Sequence, residues 1–194
     1  MSIKILLIGD SSVGKTSLIN RFINGEFTEN FTSTIGMDYK NKRIAVNNKQ
    51  YDLEIIDTCG QERFHSLSES YYKRADGIIF VFDVTNESTF KNLKNHWLRE
   101  IDKIENLPYI IIGNKIDLKN IRSINAEEMN QLGQKKNIRC IEASAKSGEN
   151  IETIFTTLTE LIISSPHRRR IKSFKLKNTT NQQRNTTNKY TFFC

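Results

Sequence analysis

Apolar runs and apolar periodicities alternate along the chain. Residues 3–8, IKILLI, are a short, branched apolar run that stops at Gly9. Residues 51–57, YDLEIID, alternate apolar with polar and end at an acid. GIIFVFD (77–83) and PYIIIGN (108–114) are continuous apolar runs of strand length, and NIRCIEA (137–143) is a weaker one. Continuous runs of this kind predict strands covered on both faces, as in a parallel sheet. Between them the apolar spacing widens to three or four. Residues 15–24 follow a glycine turn and predict a helix. Residues 88–104 open at Ser88 and space Phe90, Leu93, Trp97, Ile101 and Ile104 in helical steps. Residues 125–136 start at Asn125 with Glu128 three positions on, close to a capping box. Residues 149–163 set Ile151, Ile154, Phe155, Leu158, Leu161 and Ile162 on one stripe.

Strands alternating with helices predict an α/β sandwich around a mostly parallel sheet, with helices on both faces. Ligands of such sheets sit beyond the carboxyl ends of the strands, so the chemistry is expected in the segments that follow them. After Pro166 the periodicity stops, and the polar, low-complexity NTTNQQRNTTNKY reads as disordered. The expected organisation is a folded domain over residues 1–163 and a tail over 164–194, without internal repeats.

Charge sharpens that division. The formal charge of the 194 residues is +7. The tail holds eight Lys/Arg and no Asp or Glu, leaving 21 basic and 22 acidic residues in 1–163. The domain is near neutral, so any electrostatic partner belongs first to the tail. No apolar run approaches the roughly 18 residues of a membrane span. MSIKILLIGD has no basic leader region or cleavage site and reads as a buried strand, not a signal peptide. Cys59, Cys140 and Cys194 are odd in number and far apart, which argues against a disulfide framework and a zinc site and for a reducing compartment. The sequons at Asn86, Asn178 and Asn185 are then inert, and His65, His96 and His167 are too scattered for metal ligands.

GDSSVGKT, comprising Gly9, Asp10, Ser11, Ser12, Val13, Gly14, Lys15 and Thr16, matches G-x-x-x-x-G-K-[ST] between a predicted strand and a predicted helix. Successive backbone N–H groups and a helix N-terminus make an anion cradle there. Gly14 permits close backbone approach, Lys15 places a charge on the β- and γ-phosphates, and the Thr16 hydroxyl is a Mg²⁺ ligand. This predicts a nucleoside phosphate but not its base. NKID, residues 114–117, follows another strand, and its Asp117 carboxylate suits the paired N–H donors of guanine, which adenine lacks. SAK, residues 144–146, follows a third strand.

With these three motifs in order, the chain resembles the Ras-like small GTPases, and within them most the Rab branch. GDSSVGKTSLINRF, STIGMDYK, DTCGQERFHSL, YYKRADGIIFVFDVT, GNKIDL and EASAKSGENIE carry the resemblance, over residues 2–163. It implies the small G-protein fold with a six-stranded, mostly parallel sheet. It implies that Asn114 and Asp117 hold the guanine edge and that Lys115 and Lys146 pack along the base. Ser144 and Ala145 would complete the guanine site, with the Ala145 N–H on the guanine oxygen, and Phe27 would cover the base. Thr34 would join Thr16 on Mg²⁺ when a γ-phosphate is present, and Asp57 would hold a magnesium water. The Gly60 N–H would meet the γ-phosphate, and Gln61 would orient the attacking water as the catalytic residue.

The same resemblance implies a GTP/GDP switch in vesicle and membrane trafficking. It would act with an exchange factor, a GTPase-activating protein, effectors and a prenyl chaperone, and the protein would be a monomer. No arginine finger is evident, so slow intrinsic hydrolysis is expected. A GTP-binding scaffold with little or no hydrolysis is the alternative. Effectors would read Phe31, Thr32, Ser33, Thr34, Ile35, Gly36, Met37, Asp38 and Tyr39. Here the chain departs from the Rab pattern. Ile56 stands where tryptophan is usual, MDY where VDF is usual, and Cys59 where the family has alanine. Of the effector-reading positions Ile56, Tyr39 and Tyr72, one therefore lacks its aromatic. The extra sulfur of Cys59 gives the hypothesis of slowed or oxidation-sensitive hydrolysis. The basic HRRRIKSFKLK fits an anionic membrane or a nucleic acid. The terminal Cys194 favours the membrane, because family members end in prenylated cysteines, although no C-a-a-X motif is present. One lipid beside a polybasic patch makes a two-signal anchor, on the cytosolic face of intracellular membranes with a cytosolic pool.

Overall fold

The computed structural model describes residues 1–28, 37–58, 72, 74–102, 104 and 106–165, with the side chain of Met37 left aside. Six strands form one sheet: β1 (Ser2–Ile8), β2 (Met37–Val46), β3 (Lys49–Thr58), β4 (Gly77–Asp83), β5 (Tyr109–Asn114) and β6 (Cys140–Glu142). Their order is β2-β3-β1-β4-β5-β6. The β2–β3 pair is antiparallel and every other pair is parallel. The hairpin turns at Asn47 and Asn48, both left-handed, as a two-residue primed turn requires.

Among the described residues, four helices of more than one turn cover the sheet. They are α1 (Lys15–Asn24), α2, α3 (Ala126–Lys136) and α4 (Ile151–Ser164). Helix α2 is composite, with α-helical Glu87–Asn92, a π-helical turn Leu93–Trp97 and a closing α turn Leu98–Ile101. Its apolar stripe is where the spacing predicts it. The helix, however, stops at Ile101 rather than reaching 104, and its middle is wound wider than an α-helix. The capping box at Asn125 is present: the Asn125 side chain accepts from Glu128 N, and the Glu128 carboxylate accepts from Asn125 N. Such a box contributes about 1 kcal/mol to the helix start.

Strand β1 shows why both faces are filled. Ile3, Ile5 and Leu7 join α1 and α4 in one core, while Leu6 and Ile8 join α2 and α3 in the other. All five are at most 1% exposed, which is the reason the run is apolar without a break. Phe22 of α1 stacks on Phe155 of α4 with ring centroids 3.7 Å apart. The register then aligns the strand ends. Leu7 pairs with Asp57, Ile8 with Phe80, and Asp83 with Asn114. Gly9, Asp57, Asp83 and Asn114 therefore stand along the carboxyl edge of the sheet.

Candidate functional site

The loop after β1 wraps tightly onto that edge. Gly14 caps α1 with φ 95°, and a Cβ there would lie 2.4 Å from Asn114 Nδ2. At Gly9 a Cβ would lie 2.1 Å from the Val81 carbonyl oxygen. Any side chain at either position would push the loop off the sheet, so the two glycines of the motif serve close approach. Val13 points inward, 1% exposed, and its carbonyl accepts from Asn114 Nδ2 at 2.8 Å. Lys15 is 5% exposed, and its ammonium donates to the Gly9 and Asp10 carbonyls at 2.5 and 3.0 Å. The lysine charge is thereby held against the loop at the start of α1, and a helix N-terminus beside a lysine receives anions. Ser11 and Ser12 complete the loop, and Ser12 lines the cavity described next. Asp10 turns its carboxylate away from the loop and toward α2.

A cavity of about 430 Å³ opens beside the loop. Ser12, Gly14 and Ser17 form its phosphate-loop wall, and Phe27 and Thr28 lie on another side. Asn114, Lys115, Asp117, Leu118, Ala145 and Lys146 close it. Motifs far apart in sequence thus meet in one cleft beyond the strand ends. Asn114 is 1% exposed and is the tie between them: it donates to Val13 O and accepts from Ala145 N at 3.2 Å. Asp117 Oδ1 accepts from the Ser144 hydroxyl at 2.6 Å, and Ser144 Oγ accepts from Ser147 N at 2.9 Å. Ser144, fully buried, orients Asp117 from behind and does not line the cavity. Lys115 is left-handed, φ 71°, and its ammonium lies 2.6 Å from Asp83 Oδ2, on a carboxylate 6% exposed. A non-glycine residue held there stores about 1–3 kcal/mol, kept in place by its surroundings.

On the opposite flank of the loop, the Thr16 hydroxyl donates to Asp57 Oδ2 at 2.6 Å. Asp57 is 2% exposed, and its neighbour Thr58 donates to the Leu7 carbonyl at 2.9 Å. A hydroxyl and a carboxylate converging beside an anion cradle are hard oxygen donors of the kind Mg²⁺ takes. The donor set fits the metal that the motifs imply.

Several residues to which apolar spacing and motifs assign no role at the site prove structural to it. Arg21 of α1 donates to the carbonyls of Ala145 (2.8 Å), Lys146 and Gly25 (2.7 Å), clamping the SAK loop to the helix. Asp83 anchors Lys115, and Asn92 and Trp97 anchor Asp10. On β2, Tyr39 is 53% exposed and pairs in register with Ile56, while Ile56 and Tyr72 are 6% and 5% exposed. Of the three positions expected to face effectors, only Tyr39 presents a broad surface. Lys40, hydrogen-bonded to Asp38, holds its carboxyl below the usual range. Thr34, Gly60, Gln61, Cys59, Phe31, Thr32, Ser33, Ile35, Gly36 and Cys194 lie outside the described residues, as does the tail from 166.

Comparison with known proteins agrees with this geometry. The family model described as Ras family matches residues 4–164. A Ras-related protein Rab-1 of Theileria parva is 44% identical over 161 residues, 82% of this chain and 73% of that protein. Ras-related protein Rab-8B of Bos taurus is 43% identical over 168 residues, covering 86% of this chain and 81% of its own. Ras-related protein Rab-10 of Diplobatis ommata is 44% identical over 162 residues, 82% of this chain and 80% of its own.

Proposed function

This chain belongs to the Ras family and is a Rab-like small GTPase that hydrolyses GTP, and from that premise we propose that it is a guanine-nucleotide switch in membrane trafficking. In this reading the protein cycles between GDP- and GTP-bound states and recruits effectors in the GTP state. The observation that carries it is the Asn114 tie, which joins the phosphate loop, the NKID segment and the SAK segment around one cavity.

The residues divide the work by their chemistry. Asp117, oriented by Ser144, presents a carboxylate to the paired N–H groups of guanine. Asn114 spends its side chain on Val13 and Ala145, so its part in base recognition is first to fix the wall of the cleft. Ala145 N–H and the stems of Lys115 and Lys146 border the base, with Phe27 across the cavity. Lys15 shifts from loop carbonyls to phosphate oxygens when the polyphosphate enters, and the loop N–H groups take the remaining oxygens. Thr16, Thr34 and Asp57, the last through water, would hold Mg²⁺, which when bound neutralises phosphate charge. Gln61 orients the attacking water, and the Gly60 N–H meets the γ-phosphate. Without an internal arginine finger, hydrolysis is slow until an activating partner completes the site.

In this reading the basic tail carries the membrane address. Lys and Arg over 168–177 attract an anionic surface, and prenylation of Cys194 supplies the second signal. The protein then resides on the cytosolic face of an intracellular membrane and exchanges with a cytosolic pool. Single-turnover hydrolysis of GTP by the wild type and Gln61→Leu, with and without an activating partner, tests the catalytic part. The wild type should turn over and the variant should lose most of that rate. Equal inertness of both would reduce the protein to a GTP-binding scaffold. Unmodified Cys194 in protein taken from native membranes, measured by mass spectrometry, would sink the lipid anchor. Salt-sensitive RNA binding lost on deleting 166–194 would redirect the tail to nucleic acid.

A further inference from the structure

We infer that Asn92 and Trp97 of α2 are positioning residues for the phosphate loop, acting through Asp10, an inference that rests on reading residues 9–16 as the polyphosphate cradle. The two oxygens of Asp10 are divided between them. Asn92 Nδ2 donates to Oδ2 at 2.7 Å, and Trp97 Nε1 donates to Oδ1 at 3.2 Å. The carbonyl of the same residue accepts from the Lys15 ammonium at 3.0 Å. Asp10 is thus gripped from outside by α2 and from inside by the lysine that must meet phosphate.

The π-helical turn makes this double grip possible. In a straight α-helix, at about 100° per residue, residues five apart point about 140° away from each other. A π turn, closed by i→i+5 bonding, brings residues five apart onto one face, and such turns recur at functional sites. Asn92 and Trp97 are five apart: Asn92 caps the turn Leu93–Trp97 and Trp97 is its last residue. The wider winding costs the helix its regular bonding, and what it delivers is two donors on one phosphate-loop carboxylate. Trp97 is itself 5% exposed and packed with Phe90, Leu93 and Leu98 in the core beneath, so its ring is fixed. A buried indole N–H needs an acceptor, and Asp10 is the one it has. Asn92, by contrast, is exposed and free of packing duty.

A purely structural role and a positioning role differ in what they change. If α2 merely packs, loss of the donors lowers melting temperature and leaves nucleotide retention alone. If α2 positions the loop, loss of the donors speeds nucleotide release. The test is the dissociation rate of a fluorescent GDP analogue from the full-length protein in Mg²⁺, chased with excess GDP. Trp97→Phe keeps the ring in the core and removes its N–H; it should release GDP about tenfold faster, the scale of one hydrogen bond to a charged group. Asn92→Ala should speed release a few-fold, because its bond is exposed. The double variant should fall short of the product of the two, since both act on one carboxylate. Trp97 is the one tryptophan of the chain and gives an independent readout. Its emission should change when GDP is stripped from the wild type, and that change should be lost in Asp10→Ala. Release rates equal to wild type in both single variants, or an emission insensitive to GDP, would overturn the inference. A wild type that binds no GDP would instead overturn the cradle reading on which it stands.

Discussion

On the guanine side of the cleft, Asn114, Ser144 and Arg21 tie one loop to another while they border the cavity or brace the residues that do. On the metal side, Thr16 and Asp57 meet as hydroxyl and carboxylate, and the oxygens that matter there are those a cation takes. The first side uses its polar groups to build a shape, and the second uses them to gather charge. A guanine-side substitution should therefore damage folding and binding together. A metal-side substitution should damage binding and leave folding nearly intact.

That contrast predicts its largest effect at Asn114. Asn114→Ala strands the buried Val13 carbonyl and Ala145 N–H, which costs about 2–4 kcal/mol of stability. Denaturant unfolding of the nucleotide-free protein should show the loss, and GDP affinity should fall with it. A stable, weakly binding variant would break the comparison. Thr16→Ala should do the reverse. GTP affinity in Mg²⁺ should drop about tenfold, the drop should shrink in EDTA, and the unfolding midpoint should hold, since one hydrogen bond lost at this half-buried residue contributes only about 1 kcal/mol. Arg21→Ala has a smaller effect on binding than either. It releases the SAK loop from α1 and should cost about 1–2 kcal/mol with a matching modest loss of GDP affinity.

A further expectation is chemical and leaves stability and binding untouched. Burial pushes the Cys140 thiol up to about 11, so at pH 8 very little of it is thiolate. In a background with Cys59 and Cys194 replaced by serine, alkylation of Cys140 should run on the order of a hundredfold slower than a free thiol. The rate should climb with pH until the thiol itself titrates. Fast labelling at pH 8 would mean that the β5–β6 edge beneath the guanine side opens, against the idea of a fixed shape.

Much of this was legible before the structure, and the reasons are physical. β1, β4 and β5 are buried on both faces, so their apolar runs stand out against any loop. The phosphate loop, NKID and SAK were findable because each pairs a local pattern with the strand before it. β2 was not. It lies at the sheet edge, and MDYKNKRIAV buries only Ile44 and Val46 among its described side chains. Its strand character comes from a ten-residue antiparallel register with β3, which no local pattern encodes. The π turn was hidden too, because Phe90, Leu93, Trp97 and Ile101 satisfy a helical stripe whether the middle is α or π. Arg21 and Asp83 lie in segments marked for other reasons, and nothing local signalled the contacts they make. Their partners, Ala145 and Lys115, lie 124 and 32 residues away and meet them only once the sheet is assembled.

The central claim is that the cleft reads guanine through Asp117 and its polyphosphate through the loop from Gly9 to Thr16. Competition of GTP and ATP for the nucleotide-free protein in Mg²⁺, on wild type and Asp117→Ala, tests it most directly. A site built to hydrogen-bond a pair of donors rejects the analogue lacking them by about 10⁴-fold or more. Wild type should show a preference for GTP of that order, and Asp117→Ala should lose most of it. ATP competing as well as GTP against the wild type would contradict the account.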